Sequence, residues 1–158
     1  MNKKLSLLRH GEAEIGIGSN GDFQRNLSET GISKLIGLNS ILKERGTHFD
    51  LLIKSPALRA IQTAQLVLDY LDVKEERIEE GLYEGSVGNL LEILYQIPDH
   101  FDHVLIVGHN PGLSSLLVYL TNDFNLSLLP GMMAVISFDL PEWGMLSKGS
   151  GSLVEVFQ

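Results

Sequence analysis

Leu5-Ser6-Leu7-Leu8-Arg9-His10-Gly11 sets an apolar run, a guanidinium, an imidazole and a glycine in immediate succession. A run of that length, closed by polar groups, predicts a short strand over Lys4 to Leu8 that stops where the cation begins. The junction recurs twice. Leu51-Leu52-Ile53-Lys54 runs into Ser55-Pro56-Ala57-Leu58-Arg59, and His103-Val104-Leu105-Ile106-Val107 runs into Gly108-His109-Asn110-Pro111-Gly112. Between the strands lie helical patterns: about Gly31 to Arg45, with Ser28 as N-cap and Ile32, Leu35, Ile36 and Leu42 as the buried stripe, and Pro56 to about Asp72. In the second, Ser55 suits the N-cap, Pro56 the first helical position, and Ala57, Ala60, Ile61, Ala64, Val67, Leu68 and Leu71 one buried face. Asn89 to Ile97 reads as a short helix ended by Pro98, and Leu113 to Leu120 as another. Ala134 to Leu140 and Leu153 to Phe157 read as late strands. They pair antiparallel across Pro141 to Ser152, whose Gly144, Gly149 and Gly151 suggest a loose hairpin loop at the sheet edge. The alternation predicts parallel α/β architecture, with no internal repeat and no domain linker.

In open α/β sheets, ligands bind beyond the carboxyl ends of the strands, so Arg9-His10, Arg59 and His109 are expected to converge on one pocket. Those residue types suit phosphate. A neutral imidazole attacks phosphorus with one ring nitrogen, while guanidinium groups hold the anionic oxygens in a flat fork. Arg59 in the first turn of a helix opposes the helix dipole by roughly 0.3–1 kcal/mol, a placement that makes sense when an anion binds at that end. Taken singly, His10 reads as a turn residue and Arg59 as a solvated cation.

A chain of 158 residues makes one domain and buries roughly 68–70% of its unfolded surface. The net charge of −8 disfavours nonspecific nucleic-acid binding, which rests on counterion release by Lys and Arg. No apolar stretch approaches the roughly 18 residues of a membrane span. Lys3 and Lys4 precede an apolar run that Ser6 interrupts and Arg9 halts, so no secretory core is expected and the expected compartment is the cytoplasm. The absence of cysteine excludes a disulfide framework and a thiolate nucleophile. There is no P-loop motif and no Asp-x-Asp pair of the aspartyl-phosphate kind. Gly16-Ile17-Gly18-Ser19-Asn20-Gly21 matches the dinucleotide Gly-x-Gly-x-x-Gly pattern. No strand feeds it and no helix opens from it, so it is read as a mobile loop beside His10, with Asp22 and Arg25 touching substrate or facing water. His100 and His103 have zinc-like spacing but no third ligand, and read as ordinary surface histidines; His48 has no identifiable partner.

Leu8-Arg9-His10-Gly11-Glu12, Arg25-Asn26-Leu27-Ser28 with Gly31, Ser55-Pro56-Ala57-Leu58-Arg59-Ala60-Ile61-Gln62-Thr63-Ala64 and Val107-Gly108-His109-Asn110-Pro111 together resemble the histidine phosphatase, or phosphoglycerate-mutase-like, superfamily. The short length and the Gly-His-Asn-Pro form of the last motif look most like the small SixA-type phosphohistidine phosphatases. The resemblance implies a single three-layer α/β/α domain over residues 1–158 around a mostly parallel sheet. It implies that His10 is the nucleophile and becomes transiently phosphorylated, that Arg9 and Arg59 clamp the phosphoryl oxygens, and that His109 completes the pocket. His109 then acts either as an imidazolium donor or as a neutral one.

The proton donor to the leaving group is open. Glu84, in Leu82-Tyr83-Glu84-Gly85-Ser86-Val87-Gly88, loosely resembles the segment supplying the acid in larger members, with Glu80, Glu12 and Asp22 as competitors. A phosphohistidine substrate relaxes that demand, because imidazole leaves phosphorus more readily than an alkoxide. The expected activity is metal-independent hydrolysis without a cofactor. The expected substrate is a phosphorylated protein, such as a histidine-containing phosphotransfer domain, or a small phosphorylated metabolite. A mutase of the same superfamily shares the first step, but the short chain leaves little sequence for a lid that retains the intermediate. A non-catalytic phosphate-binding module is the competitor of another class; it needs cations more than a nucleophile.

Overall fold

The computed structural model describes residues 2–16 and 21–158. Along the chain, β1 is Asn2–Arg9, α1 Glu29–Glu44, β2 His48–Lys54, α2 Leu58–Val67, β3 Asp72–Ile78, α3 Val87–Tyr95, β4 His103–Gly108, α4 Gly112–Thr121, β5 Met133–Asp139 and β6 Gly151–Phe157. The six strands form one sheet in the order β3-β2-β4-β1-β5-β6. β3, β2, β4 and β1 run parallel, whereas β5 is antiparallel to both β1 and β6.

Strand parity builds the layers. Leu5, Leu7, Leu51, Ile53, Val104 and Ile106 face one side, where they pack with Leu90 and Leu94 of α3 and Leu113, Leu116 and Leu120 of α4. Leu8, Leu52, Leu105 and Val107 face the other, against Leu35, Leu38 and Leu42 of α1 and Ala60, Ala64 and Val67 of α2. Both faces of the central strands are therefore dry, which is why they read as continuous apolar runs rather than alternating ones. The result is a three-layer α/β/α domain around a mixed, mostly parallel sheet.

Several boundaries differ from the sequence expectation, each for a local reason. α2 starts at Leu58 with Ala57 at the cap, so Ser55 is not its N-cap and Pro56 lies before the helix rather than at its first position. It ends at Val67 instead of continuing to Asp72. The chain then turns through Tyr70 at φ 60° and enters the edge strand β3. Asp72-Val73-Lys74-Glu75-Glu76-Arg77-Ile78 carries no strand-like alternation, because an exposed edge is held by backbone pairing with β2 and is protected by charge. α3 begins at Val87, two residues earlier than expected, with a Ser86–Asn89 capping box. Ser28 does cap α1, accepting from the Gly31 N–H. Leu35 and Leu42 are buried as expected, but Ile32 and Ile36 are exposed, and Leu38 and Asn39 are buried instead.

The β5–β6 pairing is antiparallel as expected, but its connection is not a loose loop. Trp143 is fully buried; its indole N–H donates to the Phe101 carbonyl at 2.8 Å and its backbone N–H to Asp99 Oδ1 at 2.9 Å. Among the described residues, no helix is long and apolar enough to cross a membrane.

Gly31 lets α1 start directly beneath the loop after β1: a β-carbon there would run into the Glu12 carbonyl. Gly37, exposed in the same helix, has open space around it. Opposite effects are expected in urea denaturation: Gly31→Ala should lose about 1–3 kcal/mol by overpacking, whereas Gly37→Ala should gain about 0.4–1 kcal/mol by restricting the unfolded chain.

Candidate active site

Adjacent parallel strands bring the three polar junctions together. β4 lies between β1 and β2, with Arg9 opposite Gly108 and Lys54 opposite Val107. The ladder continues one residue past the strands: the His10 N–H donates to the Gly108 carbonyl at 3.0 Å and the Ser55 N–H to the Val107 carbonyl at 3.0 Å. His10 and His109 thus leave β1 and β4 at one level, and Ser55 leaves β2 one position earlier. Arg59 reaches the same point from the first turn of α2, as expected.

His10 is 7% exposed. Its Nδ1 lies 2.8 Å from the Gly11 carbonyl oxygen, an acceptor only, so the proton sits on Nδ1 and the Nε2 lone pair is directed into the site. Arg59 Nε donates toward that Nε2 at 3.3 Å. His109 is held in the opposite sense. Its Nδ1 is 3.3 Å from an Arg59 terminal nitrogen, which only donates, so its proton is on Nε2 and goes to Ser55 Oγ at 2.7 Å. The two imidazole rings stand 5.1 Å apart.

Thr63 joins two elements of the site, accepting from the Gly11 N–H at 3.0 Å and donating to the Arg59 carbonyl at 2.7 Å. Arg9 donates to the Leu128 carbonyl at 3.1 Å, a carbonyl it shares with the Asn110 side chain. The Nε of Arg9 is buried without a hydrogen-bond partner among the described residues. Such a donor costs about 1–3 kcal/mol unless it is matched, and a phosphoryl oxygen would match it.

All four predicted residues line one cleft of about 620 Å³, together with Glu12, Asp22, Arg25, Tyr83 and Glu84. Burial, followed by the nearby Arg59 and Arg9 charges, pushes His10 down to about 4 despite the opposing Gly11 bond. Burial, followed by His10 and Arg59, pushes His109 down to about 3. Both imidazoles are therefore neutral near neutrality. For His109 this favours the neutral alternative, with its one donor already given to Ser55.

The carboxylates sort by geometry. Glu84 is exposed on the cleft wall, on a left-handed residue at φ 59°. Glu12 accepts from Ser28 Oγ at 2.8 Å, and Glu80 lies in a 3₁₀ turn outside the cleft lining. Asp22 faces the guanidinium of Arg59 and is held well below the usual carboxylate range, first by the Tyr83 hydroxyl. Of the glycine-rich stretch, Ile17 to Asn20 lie outside the described residues.

His103 is not an ordinary surface histidine. It is half-buried against Phe49, its Nε2 lies 2.9 Å from Ser6 Oγ, and burial pushes it to about 4. His100 packs on Phe101. No group of three potential metal ligands comes together among the described residues. No local pattern marks Tyr83 or Thr63 as part of the site, and Ser55 by its local pattern suits only a cap. Position is the available signal for Ser55, since it is the first residue after β2 as His109 is the first after β4.

A model of the histidine phosphatase superfamily (branch 1) matches residues 5–103, a span that includes His10 and Arg59 but not His109. The 2,3-bisphosphoglycerate-dependent phosphoglycerate mutase of Streptococcus uberis is 36% identical over 110 residues, covering 64% of this chain and 48% of the mutase. The chain thus spans about half the length of the curated relatives it matches. Among solved structures, a candidate phosphohistidine phosphatase SixA from Nakamurella multipartitia superposes with a TM-score of 0.84 at 23% identity, covering 100% of this chain and 96% of that one. The protein histidine phosphatase SixA complexed with tungstate gives 0.82 at 22%, covering 98% and 96%. At these identities the structural likeness shows the fold.

Three neutral histidines, two buried and one half-buried, set an acid limit. Their folded values lie below the ordinary 6.5, at about 4 for His10 and His103 and about 3 for His109. Below 6.5 the unfolded chain therefore binds more protons than the native one. Stability is full above that value and is lost as the pH falls toward 4. Urea midpoints measured at pH 7, 5.5 and 4.5 should decline in that order, and ¹⁵N shifts of the His10 and His109 rings should remain those of neutral imidazole at pH 5.5.

Proposed function

This chain belongs to the histidine phosphatase superfamily, and from that premise we propose that it hydrolyses a phosphorylated substrate through a covalent phosphohistidine on His10, with no metal required. The observation that carries the reading is the one-sided hydrogen bonding of His10, whose Nδ1 is committed to Gly11 while Nε2 faces the Arg59 guanidinium in a cleft that Arg9 also lines.

In the first step the Nε2 lone pair forms a bond to phosphorus, and the bond to the leaving group breaks with its electron pair on the departing atom. Arg9 and Arg59 carry a charge of +2 against the roughly −1.5 to −2 of a phosphoryl group and stabilise the charge spread over its equatorial oxygens. These side chains supply the electrostatic role directly. The His10 imidazole becomes cationic on phosphorylation, and its Nδ1–H bond to the Gly11 carbonyl strengthens at that point. Water then attacks phosphorus, the N–P bond breaks, and neutral His10 is restored as phosphate leaves.

Glu84, at the cleft wall, is the proposed proton donor to an ester oxygen. A phosphohistidine imidazole needs that proton less, and a phosphorylated protein, such as a histidine-containing phosphotransfer domain, is the preferred substrate over a small phosphorylated metabolite. Whole-chain likeness to SixA proteins supports that preference. The 36% identity to phosphoglycerate mutases supports a second reading, in which the phosphoryl group returns from His10 to the product.

The purified chain should hydrolyse p-nitrophenyl phosphate and a phosphohistidine peptide in the presence of EDTA, and His10→Ala should abolish both. Retained activity in His10→Ala refutes the mechanism, and isomerisation of 3-phosphoglycerate faster than hydrolysis selects the mutase. Arg59→Ala should lower kcat by roughly 10²–10³-fold and weaken inhibition by inorganic phosphate. Glu84→Gln should slow an alkyl phosphate far more than p-nitrophenyl phosphate, whose leaving group needs little protonation; equal slowing of both substrates removes Glu84 from that role.

A further inference from the structure

Every nitrogen of Arg59 is engaged by the protein itself. Nε is turned to His10, one terminal nitrogen donates to the Asp22 carbonyl at 2.5 Å, and the other is shared between His109 Nδ1 and Asp22 Oδ2, each at 3.3 Å. Asp22 supplies two of these contacts, one from its backbone carbonyl and one from a carboxylate whose side chain is 55% exposed, facing an arginine only 6% exposed. Its carboxylate is also fixed from the far side. Tyr83 donates its hydroxyl to the same Oδ2 at 2.5 Å, and Arg25 approaches Oδ1 at 3.4 Å. Tyr83 is itself wedged edge-on against Phe23 and His109, with ring centroids 5.3 and 5.4 Å away. An anion is thus already seated on the guanidinium that faces the nucleophile.

We propose that Asp22, held in place by Tyr83, is a specificity-determining residue: an internal anion that occupies Arg59 and that an incoming phosphoryl group must displace. The inference rests on the function proposed above, since it takes Arg59 as a phosphoryl clamp. A phosphoryl oxygen within reach of His10 and Arg59 competes for the terminal nitrogen that the Asp22 carboxylate holds. The displaced carboxylate moves toward solvent, which its exposure permits, and a doubly charged phosphoryl group outbids it where a singly charged anion does not. Asp22 is poorly suited to be the proton donor. The donors around it favour its ionised form, and a carboxylate fully engaged as an acceptor has no proton to give.

Isothermal titration of inorganic phosphate into the full chain tests this directly, without requiring turnover. Asp22→Asn keeps the side-chain shape and removes the charge, and it should tighten phosphate binding by roughly threefold to tenfold, the modest range of a half-exposed ion pair. Tyr83→Phe frees the carboxylate without neutralising it and should tighten binding by a smaller factor. KM for p-nitrophenyl phosphate should fall in the same order. Unchanged or weaker phosphate affinity in both variants, with thermal melts matching wild type, overturns the proposal. So does a hundredfold loss of kcat in Asp22→Asn with phosphate affinity unaltered, which would make Asp22 the proton donor. If wild type and both variants bind no phosphate, the proposed function falls together with this inference; tight phosphate binding that ignores residue 22 defeats the inference alone.

Discussion

Register between three parallel strands is the constraint on which the site depends. β2, β4 and β1 are neighbours, and the ladder holds for one residue past their ends through the bonds of His10 to Gly108 and Ser55 to Val107. Strands lie roughly 4.8 Å apart, so groups leaving adjacent strands at one level come within reach of a single tetrahedral anion. Both faces of those strands are buried against helix pairs. A slip of one residue would exchange the Leu5–Leu7 face with the Leu8 face, so the core that stabilises the sheet also fixes where the polar residues emerge.

Within that frame, burial and positive charge act in the same direction on the imidazoles. Desolvation and the neighbouring guanidinium groups both disfavour imidazolium, leaving His10 with an unprotonated Nε2 turned to Arg59 and His109 as a neutral strut between Ser55 and Arg59. The positive charge of the cleft therefore rests on arginines, which remain charged when buried. The arrangement is poised rather than relaxed. Arg9 carries a buried donor with no partner among the described residues, and Arg59 is bound to an anion from the protein's own chain.

Legibility of this chain in sequence followed the physics of each signal. The central strands, α1 and α4 announced themselves because burial writes apolar periodicity directly into the residues. β3 was hidden because an edge strand can be charged throughout and still be held by backbone bonds. Trp143 was read as part of a loose connection among glycines, because its partners Asp99 and Phe101 are more than forty positions away. Ser55 looked like a cap because the local pattern Ser-Pro fits one, whereas its bond to His109 spans two strands.

Which residues gather at the cleft was settled by the order of residues along the chain, since Arg9-His10, Arg59 and His109 each follow an apolar run that must end at the carboxyl edge of a parallel sheet. How each of them is held there is decided by folding alone. The side on which a ring proton sits, the neutrality of the imidazoles and the carboxylate that faces Arg59 all depend on partners far away in the chain. A tautomer or a pKa is a property of the neighbours' positions in space, and no local pattern of residues encodes those positions.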